Sequence, residues 1–185
     1  MGFCTFPFRP DCDRPHDYNM KYLAFCASSP KNYVKNIFMP KIAVVIPKYG
    51  LVGGAEQFAA ELTGQLCNRT AYTFQVFANR WKSVPGTLSF HKIPILSFPK
   101  FMTTISFAWF VERRLHKNHF DLVHSHERIF SADIFTLHGI PHRYWIEHVR
   151  KKKAMSLYDM ATAWVEKKLV MEGRCKKFIA VSELT

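Results

Sequence analysis

Three histidines and one glutamate stand at the ends of apolar runs in this 185-residue sequence. His124 and His126 lie in the run DLVHSH, where a spacing of two places both side chains on one face of a strand. His138 lies near the end of the next run, DIFTLHG, and Glu127 directly follows His126. Because the carboxyl ends of parallel strands line ligand crevices, His126, Glu127 and His138 are the candidate catalytic residues.

The same histidines have two other interpretations. Two histidines on a strand plus a third could ligate a metal, but zinc sites add a carboxylate or thiolate at a recognisable spacing, and only Glu127 is near. The five cysteines form no C-x-x-C pair. We therefore expect no metal site. For His124, simple hydrogen bonding to neighbouring backbone is as good an explanation as any function.

Two adjacent glycines separate the apolar run IAVVIP from a helical pattern. Gly53 and Gly54 allow positive φ and the close approach of a ligand. The helix beginning near Ala55, with Glu56 in its first turn, directs unpaired N–H groups and its positive dipole end into the same space. We therefore predict that Gly53, Gly54, Ala55 and Glu56 bind an anionic ligand such as a phosphate. A plain tight turn is the alternative, and neither the G-x-G-x-x-G nor the P-loop motif is present.

The elements that must position these residues alternate between apolar runs and helical patterns from Met39 onward. This alternation predicts an α/β fold, a Rossmann-like, mostly parallel sheet with helices on both faces. In the first helix, Phe58, Leu62 and Leu66 are expected to pack on the sheet. Helices are expected at 55–67, at 102–117 and in two segments between 141 and 173, and strands at 41–47, 74–81, 88–95, 121–126, 133–139 and 176–182.

Two stretches at the ends of the sequence bear on domain organisation. Residues 1–38 are rich in proline and aromatic residues without periodicity, and we interpret them as an extension or arm ahead of a domain at 39–185. Near the other end, Ser182 follows a predicted strand and is a suitable helix cap. We therefore expect the domain to continue into a longer protein.

The formal net charge of +12 favours anionic partners. His142, together with Arg143 and Trp145 of the following segment RYWIEHVRKKK, forms the candidate contacts to an acceptor or to an anionic membrane surface, and residues 105–117 offer a similar mixture. A solvated basic face is the alternative. No nucleic-acid-binding motif occurs, so no nucleic acid is expected as a partner.

No long apolar stretch or signal peptide is recognisable in the sequence. We therefore expect a cytoplasmic protein, with peripheral association with the inner face of the cell membrane as a further expectation.

The order of strand KIAVVIP, turn GLVGGAE, strand DLVHSH, strand FTLHG and strand FIAVSE resembles the N-terminal domain of family 4 glycosyltransferases, over about residues 40–185. Residues 126–185 look more particularly like the bacterial lipopolysaccharide core glucosyltransferases. The resemblance implies the N-terminal half of a GT-B fold and transfer from a nucleotide-diphosphate sugar to a saccharide or lipid-linked acceptor, with retention. It also implies that no metal and no cofactor is needed.

The resemblance further implies residue roles. The GGAE turn, here Gly53 to Glu56, would lie near the donor diphosphate, and His126 beside the transferred sugar. Most donor contacts in the family come from a C-terminal domain with two glutamates eight positions apart, and no two glutamates here have that spacing. We therefore expect the donor domain to be absent from this chain and the isolated chain to be inactive. The alternatives are a nucleotide-binding oxidoreductase and a non-catalytic basic domain that binds a membrane or nucleic acid.

Overall fold

The computed structural model describes residues 39–82, 88–152 and 154–181. The interpretation of residues 1–38 as an extension and of Ser182 as a helix cap therefore lies outside the described residues. The domain boundary after residue 38 stays a prediction.

Strands and helices alternate along the described chain, with bounds mostly within two residues of those expected from the sequence. In chain order the elements are β1 (Lys41–Val45), β2 (Lys48–Tyr49), α1 (Gly54–Arg69), β3 (Thr73–Ala78), β4 (Arg80–Trp81), β5 (Ser89–Lys92), α2 (Met102–His116), β6 (Leu122–Ser125), β7 (Ala132–Leu137), α3 (His142–Tyr144), a π-helix (Trp145–Val149), α4 (Leu157–Met171) and β8 (Cys175–Ala180).

Six of these strands form one parallel sheet in the order β5-β3-β1-β6-β7-β8. The chain leaves β1 towards β3 and β5 and then returns to β6 on the other side of β1. This reversal of direction makes the carboxyl end of β1 the topological switch point, where α/β sheets bind ligands. The short strands β2 and β4 form a separate parallel pair.

Each face of the central strand packs against a different helix layer. Val44 and Ile46 lie in a buried cluster with Ala59 of α1. Ala43 and Val45 lie in a second cluster on the opposite face, together with Phe107 and Val111 of α2 and Val165 and Leu169 of α4. The predicted Rossmann-like sheet with helices on both faces is therefore confirmed.

The sheet-facing side of α1 differs from the one expected. Ala59 and Thr63 are its buried residues, whereas Phe58 is 40% exposed and Leu66 is 36% exposed. The prediction that Phe58, Leu62 and Leu66 pack on the sheet is therefore wrong for Phe58 and Leu66, while Leu62 is partly buried. Ala59 faces the sheet instead, in one buried cluster with Val44 and Val76.

The helical pattern after Pro141 also differs in detail from the expected one. After the single turn α3 the backbone widens into the π-helix, which closes with a hydrogen bond from the Arg150 N–H to the Trp145 carbonyl at 2.9 Å. The wider turn changes the directions of the side chains along this segment. No helix in the described ranges combines the length and the apolar character needed to cross a membrane.

Candidate functional site

The carboxyl edge of the sheet gathers the predicted site residues around a cavity of about 220 Å³. Ala55 reaches this cavity from the start of α1, His126 and Glu127 follow β6, and His138 follows β7. The parallel register of β6 and β7 places the ends of both strands side by side. Four residues predicted from separate motifs therefore line one cavity.

The three histidines lie together at this edge. His126 Nδ1 is 3.0 Å from His138 Nε2, which is hydrogen-bonding distance. The ring centroids of His124 and His126 are 4.2 Å apart, and His124 Nε2 lies 2.8 Å from the hydroxyl oxygen of Thr136. His124 is thus held by a side chain of the neighbouring strand, while the other two histidines form a pair.

Burial keeps these rings uncharged at neutral pH. It lowers the pKa of His126 to about 3 and that of His124 to about 4, and repulsion from neighbouring histidines acts in the same direction. Burial also lowers the pKa of His138, although the carboxylates of Glu127 and Glu56 oppose that shift. In the neutral pair, one ring N–H donates to the lone pair of the other ring.

One atom of this pair has no hydrogen-bond partner within the described residues. His126 is 6% exposed, and its Nε2 is a buried polar atom without a partner. Leaving such a group unsatisfied costs about 1–3 kcal/mol. His126 lines the cavity, and the buried Nε2 is the atom of its ring that lacks a partner among the described residues.

The ring of Phe58 on α1 lies beside the histidine pair. The sequence analysis did not assign Phe58 to the site. Its ring meets those of His126 and His138 edge-on, at centroid distances of 6.0 and 5.4 Å. The position of Phe58, one turn after the glycines, could have indicated a place at the site, because residues in the first two turns of α1 lie near the switch point. The helical spacing instead favoured a contact with the sheet.

The two glycines of the turn differ in backbone conformation and in the space around them. Gly53 has φ of 149°, and a Cβ built on it would lie 2.0 Å from Glu56 Oε2, so the Glu56 carboxylate folds back against the turn. A Cβ on Gly54 would meet nothing within 4 Å, and its φ lies outside the positive range. Of the two glycines, which both permit positive φ, only Gly53 adopts it.

The start of α1 also lacks a side-chain cap. The N-cap residue Gly53 has no side chain to bond the first N–H groups of the helix, which have no intrahelical acceptor. The Glu56 carboxylate of the first turn lies beside them, so a bound anion would displace it. At α4, by contrast, Ser156 and Asp159 form a complete capping box. Of these two helices, α1 has the N-terminus that is suited to an anion.

Arg128 brings a charge into the site that the sequence analysis did not single out. Its guanidinium donates to the carboxylate of Glu166 on α4 and lies 3.4 Å from Glu127 Oε1. The two carboxylates raise the pKa of Arg128 against the effect of burial. The cavity thus holds two carboxylates and one guanidinium, so its lining suits a neutral polyol, whereas an anion is favoured only at the start of α1.

The predicted acceptor or membrane contacts do not form one surface. The backbone N–H of His142 donates to Glu166 Oε1 at 2.9 Å, and the His142 ring lies 3.2 Å from Asp159 Oδ1. His142 and Trp145 line a cavity of about 660 Å³. Arg143 does not line that cavity; it is largely exposed and pairs with Glu147 at 2.8 Å.

No group of three or more His, Cys, Asp or Glu side chains is arranged to hold a metal ion in the part of the chain that the structure describes. The three clustered histidines interact with one another and with Thr136 instead. The expectation that neither a metal nor a cofactor is needed stays a prediction.

Comparisons with known proteins bear on both the family and the fold. The model of Glycosyltransferase Family 4 matches residues 52–185. The crystal structure of WaaG, a glycosyltransferase involved in lipopolysaccharide biosynthesis, is similar with a TM-score of 0.59 and 17% sequence identity, covering 69% of this chain and 35% of the WaaG chain. At this identity the likeness shows the fold, and it confirms the expected N-terminal half of a GT-B fold. No curated protein matches this chain.

Proposed function

Because the chain belongs to glycosyltransferase family 4, we propose that it provides the acceptor-side Rossmann-like domain of an enzyme that uses a nucleotide-diphosphate sugar. The acceptor is a saccharide or a lipid-linked saccharide, and the anomeric configuration is retained. The observation that carries this proposal is that the uncapped start of α1 and the unpartnered Nε2 of His126 lie at one edge of the sheet. The family match favours this function over the oxidoreductase alternative.

The start of α1 is suited to the diphosphate. Breaking the bond between the sugar and the phosphate leaves negative charge on the diphosphate, and prearranged N–H groups stabilise such charge without having to reorient. The helix dipole adds to this effect within the first turn. The open space at Gly54 leaves room for the phosphate oxygens next to these groups.

The 220 Å³ cavity is suited to the transferred sugar. Sugar hydroxyls both donate and accept hydrogen bonds, so they can pair with the Glu127 carboxylate and with Nε2 of His126. Because His126 is neutral, it can hold a hydroxyl without adding a charge beside the departing diphosphate. His138 fixes the orientation of the His126 ring through their shared hydrogen bond.

Nucleoside diphosphate titrations of the chain test the proposal. We expect UDP or ADP to bind with a dissociation constant on the order of 1 mM, about −4 kcal/mol, because only one side of the ligand is contacted. Gly54→Val fills the open space and should weaken binding about tenfold. Gly64→Val is the matched control, since Gly64 lies in the same helix and a Cβ there also meets nothing within 4 Å.

Equal affinities of the two glycine variants would remove the start of α1 from the proposed function. Absence of binding of any nucleoside diphosphate to the folded chain would remove the donor site from this domain.

The biosynthetic role of WaaG suggests an acceptor of the lipopolysaccharide type, at the cytoplasmic face of a membrane. The surface of α2 offers a membrane contact, because Trp109 is 47% exposed and the guanidinium of Arg113 lies 5.4 Å from the centre of its ring. We expect the chain to sediment with anionic vesicles and not with neutral ones. The double variant Trp109→Ala/Arg113→Gln should reduce the fraction of the chain that sediments with anionic vesicles. Equal sedimentation with both vesicle types would contradict the membrane contact.

A further inference from the structure

A second cavity, of about 550 Å³, lies at the same carboxyl edge on the other side of β1 from the histidines. Its lining includes three cationic side chains, those of Lys48, Arg80 and Lys92, and no acidic side chain. Residues 83–87, which fall outside the described ranges but follow β4 closely, contain no acidic residue either. Among the residues that the structure describes, the lining of this cavity therefore concentrates positive charge without a carboxylate.

The backbone holds these cations close together. Lys48 and Arg80 are direct partners in the parallel β2–β4 pair, and Lys92 is the partner of Ala78 at the carboxyl end of the β3–β5 pair. The N–H groups of Asn79 and Arg80 both donate to the Pro47 carbonyl, at 2.9 and 3.0 Å. Strand pairing thus fixes the spacing of the backbone positions from which these three exposed side chains extend.

None of the three cations forms an ion pair within the described part of the chain, whereas Arg128, Arg143 and Lys176 do. Like charges directly opposite each other on neighbouring strands are destabilising. Natural sequences retain such local conflicts mainly at functional sites, where a ligand supplies the missing partner.

We propose that Lys48, Arg80 and Lys92 bind a phosphate or carboxylate group carried by the acceptor saccharide, so that the enzyme acts on an anionic acceptor. This inference rests on the proposed function. The guanidinium fork of Arg80 and the point charges of the two lysines suit such a group. The acceptor would lie on one side of β1, with the donor sugar on the other side at His126.

The concave shape of the cavity favours a small anionic ligand over a membrane surface. A membrane contact requires protruding large apolar side chains beside the basic ones. The apolar residues that line this cavity are Pro47 and Ile95, neither of which is exposed. Leu96 and Phe98, beside the lining residue Ser97, are 49% and 90% exposed but do not line the cavity. The vesicle measurement in the test below therefore separates a membrane contact from a sugar anion. The exposed tryptophan with a neighbouring arginine lies elsewhere, on α2.

Calorimetric or NMR titrations of the full chain with glucose 6-phosphate, glucuronate and glucose test the inference. We expect the two anionic sugars to bind, glucose to bind no more than weakly, and affinity to fall with added salt. Lys48→Gln, Arg80→Gln and Lys92→Gln should each weaken binding of the anionic sugars about tenfold, the effect of losing one charge-assisted hydrogen bond. Arg69→Gln and Lys117→Gln remove the same charge elsewhere and should change affinity less than about twofold.

The same variants titrated with UDP separate this inference from the proposed function. Retained UDP binding with lost sugar-phosphate binding supports the second site. Retained sugar-phosphate binding in a chain that binds no nucleoside diphosphate sinks the proposed function and leaves the anion site standing.

Three outcomes overturn the inference. The first is equal binding of glucose and glucose 6-phosphate. The second is equal weakening by the cavity variants and the controls. The third is binding of anionic vesicles that the cavity variants abolish while no sugar phosphate binds, which would assign the cations to a membrane.

Discussion

His126 and His138 share one hydrogen bond, with Nδ1 of the first ring 3.0 Å from Nε2 of the second. The two rings come from the ends of neighbouring parallel strands, so the pairing of β6 with β7 sets their separation. The bond requires at least one of the two rings to be uncharged. Burial meets this requirement at neutral pH by lowering the pKa of both rings.

The lowered histidine pKa values predict a loss of stability in acid. The unfolded chain takes up protons near pH 6.5, the ordinary pKa of histidine, whereas folded His124 and His126 do so only near 4 and 3. The free energy of unfolding is therefore highest above pH 6.5 and should fall as the pH drops towards 4. Each histidine contributes roughly 1.4 kcal/mol per pH unit, measurable by urea unfolding at several pH values.

His126→Gln should make this pH dependence shallower, because one of the histidines whose pKa is lowered on folding is removed, while His91, His124 and His138 remain. His119→Gln, at an exposed position, is the control and should leave the slope unchanged. A free energy of unfolding that stays constant between pH 7 and pH 4.5 would show that the rings are protonated in the folded chain.

The two adjacent glycines should respond differently to alanine. Gly53→Ala places a Cβ where the Glu56 carboxylate lies and forces φ of 149° on a non-glycine residue, so we expect a cost of about 1–3 kcal/mol. Gly54→Ala meets open space and should change stability by less than about 1 kcal/mol. Thermal or urea unfolding of both variants provides the measurement.

The double variant Gly53→Ala/Glu56→Ala should regain only part of the free energy of unfolding that Gly53→Ala loses. Removing the Glu56 carboxylate relieves its clash with the new Cβ, but the positive φ at residue 53 stays strained for alanine. Full recovery would mean that the backbone at Gly53 carries no strain.

Glu166→Gln should destabilise the fold through Arg128. The carboxylate accepts from the Arg128 guanidinium and from the N–H of His142, and its side chain is 12% exposed. Removing one partner of a largely buried pair leaves the other charge uncompensated, so we expect a loss of about 2–4 kcal/mol in urea unfolding. Glu147→Gln breaks the exposed pair with Arg143 and should leave stability unchanged.

A double-mutant cycle with Arg128→Met isolates the coupling between Arg128 and Glu166. Additive effects of the two single changes would show that the pair contributes nothing of its own.

Ser156→Ala should weaken α4 at its start. The Ser156 hydroxyl accepts from the Asp159 N–H at 3.2 Å and donates to the Asp159 carboxylate at 2.7 Å, and losing such a cap costs about 1 kcal/mol. These bonds hold the pKa of Asp159 well below its usual range. The folded carboxylate therefore stays ionised below its ordinary pKa, so the cost of Ser156→Ala should be the same at pH 7 and pH 5 and should persist at about pH 4, where an ordinary aspartate is about half protonated.

Unchanged stability of Ser156→Ala at both pH values would contradict the contribution of the cap. A cost that is present at pH 5 and about halved at pH 4 would contradict the lowered pKa.

The parallel sheet and the edge that carries the site were predictable because they depend on local pattern. β1 reads as an unbroken apolar run because both of its faces are covered. Parallel strands bring their carboxyl ends to one edge, so His126 and His138 could be placed together from their positions alone. The two glycines directly after the first apolar run likewise indicated where β1 ends and α1 begins.

The contacts that depend on packing between distant elements were not predictable. The pairing of Arg128 with Glu166 joins residues 38 positions apart, and no sequence spacing signals it. The direction of Phe58 depended on which face of α1 could approach the sheet most closely. The widened helical turn at Trp145–Val149 is also not revealed by the spacing of apolar residues.

Only residues 126–131 separate the end of β6 from the start of β7. The entropy lost on closing a loop grows with its length, so these two strands meet at small entropic cost during folding. The two imidazole rings are therefore brought together by contacts that are local in the chain. An insertion within residues 126–131 would disturb the alignment of these rings before it disrupted the rest of the sheet.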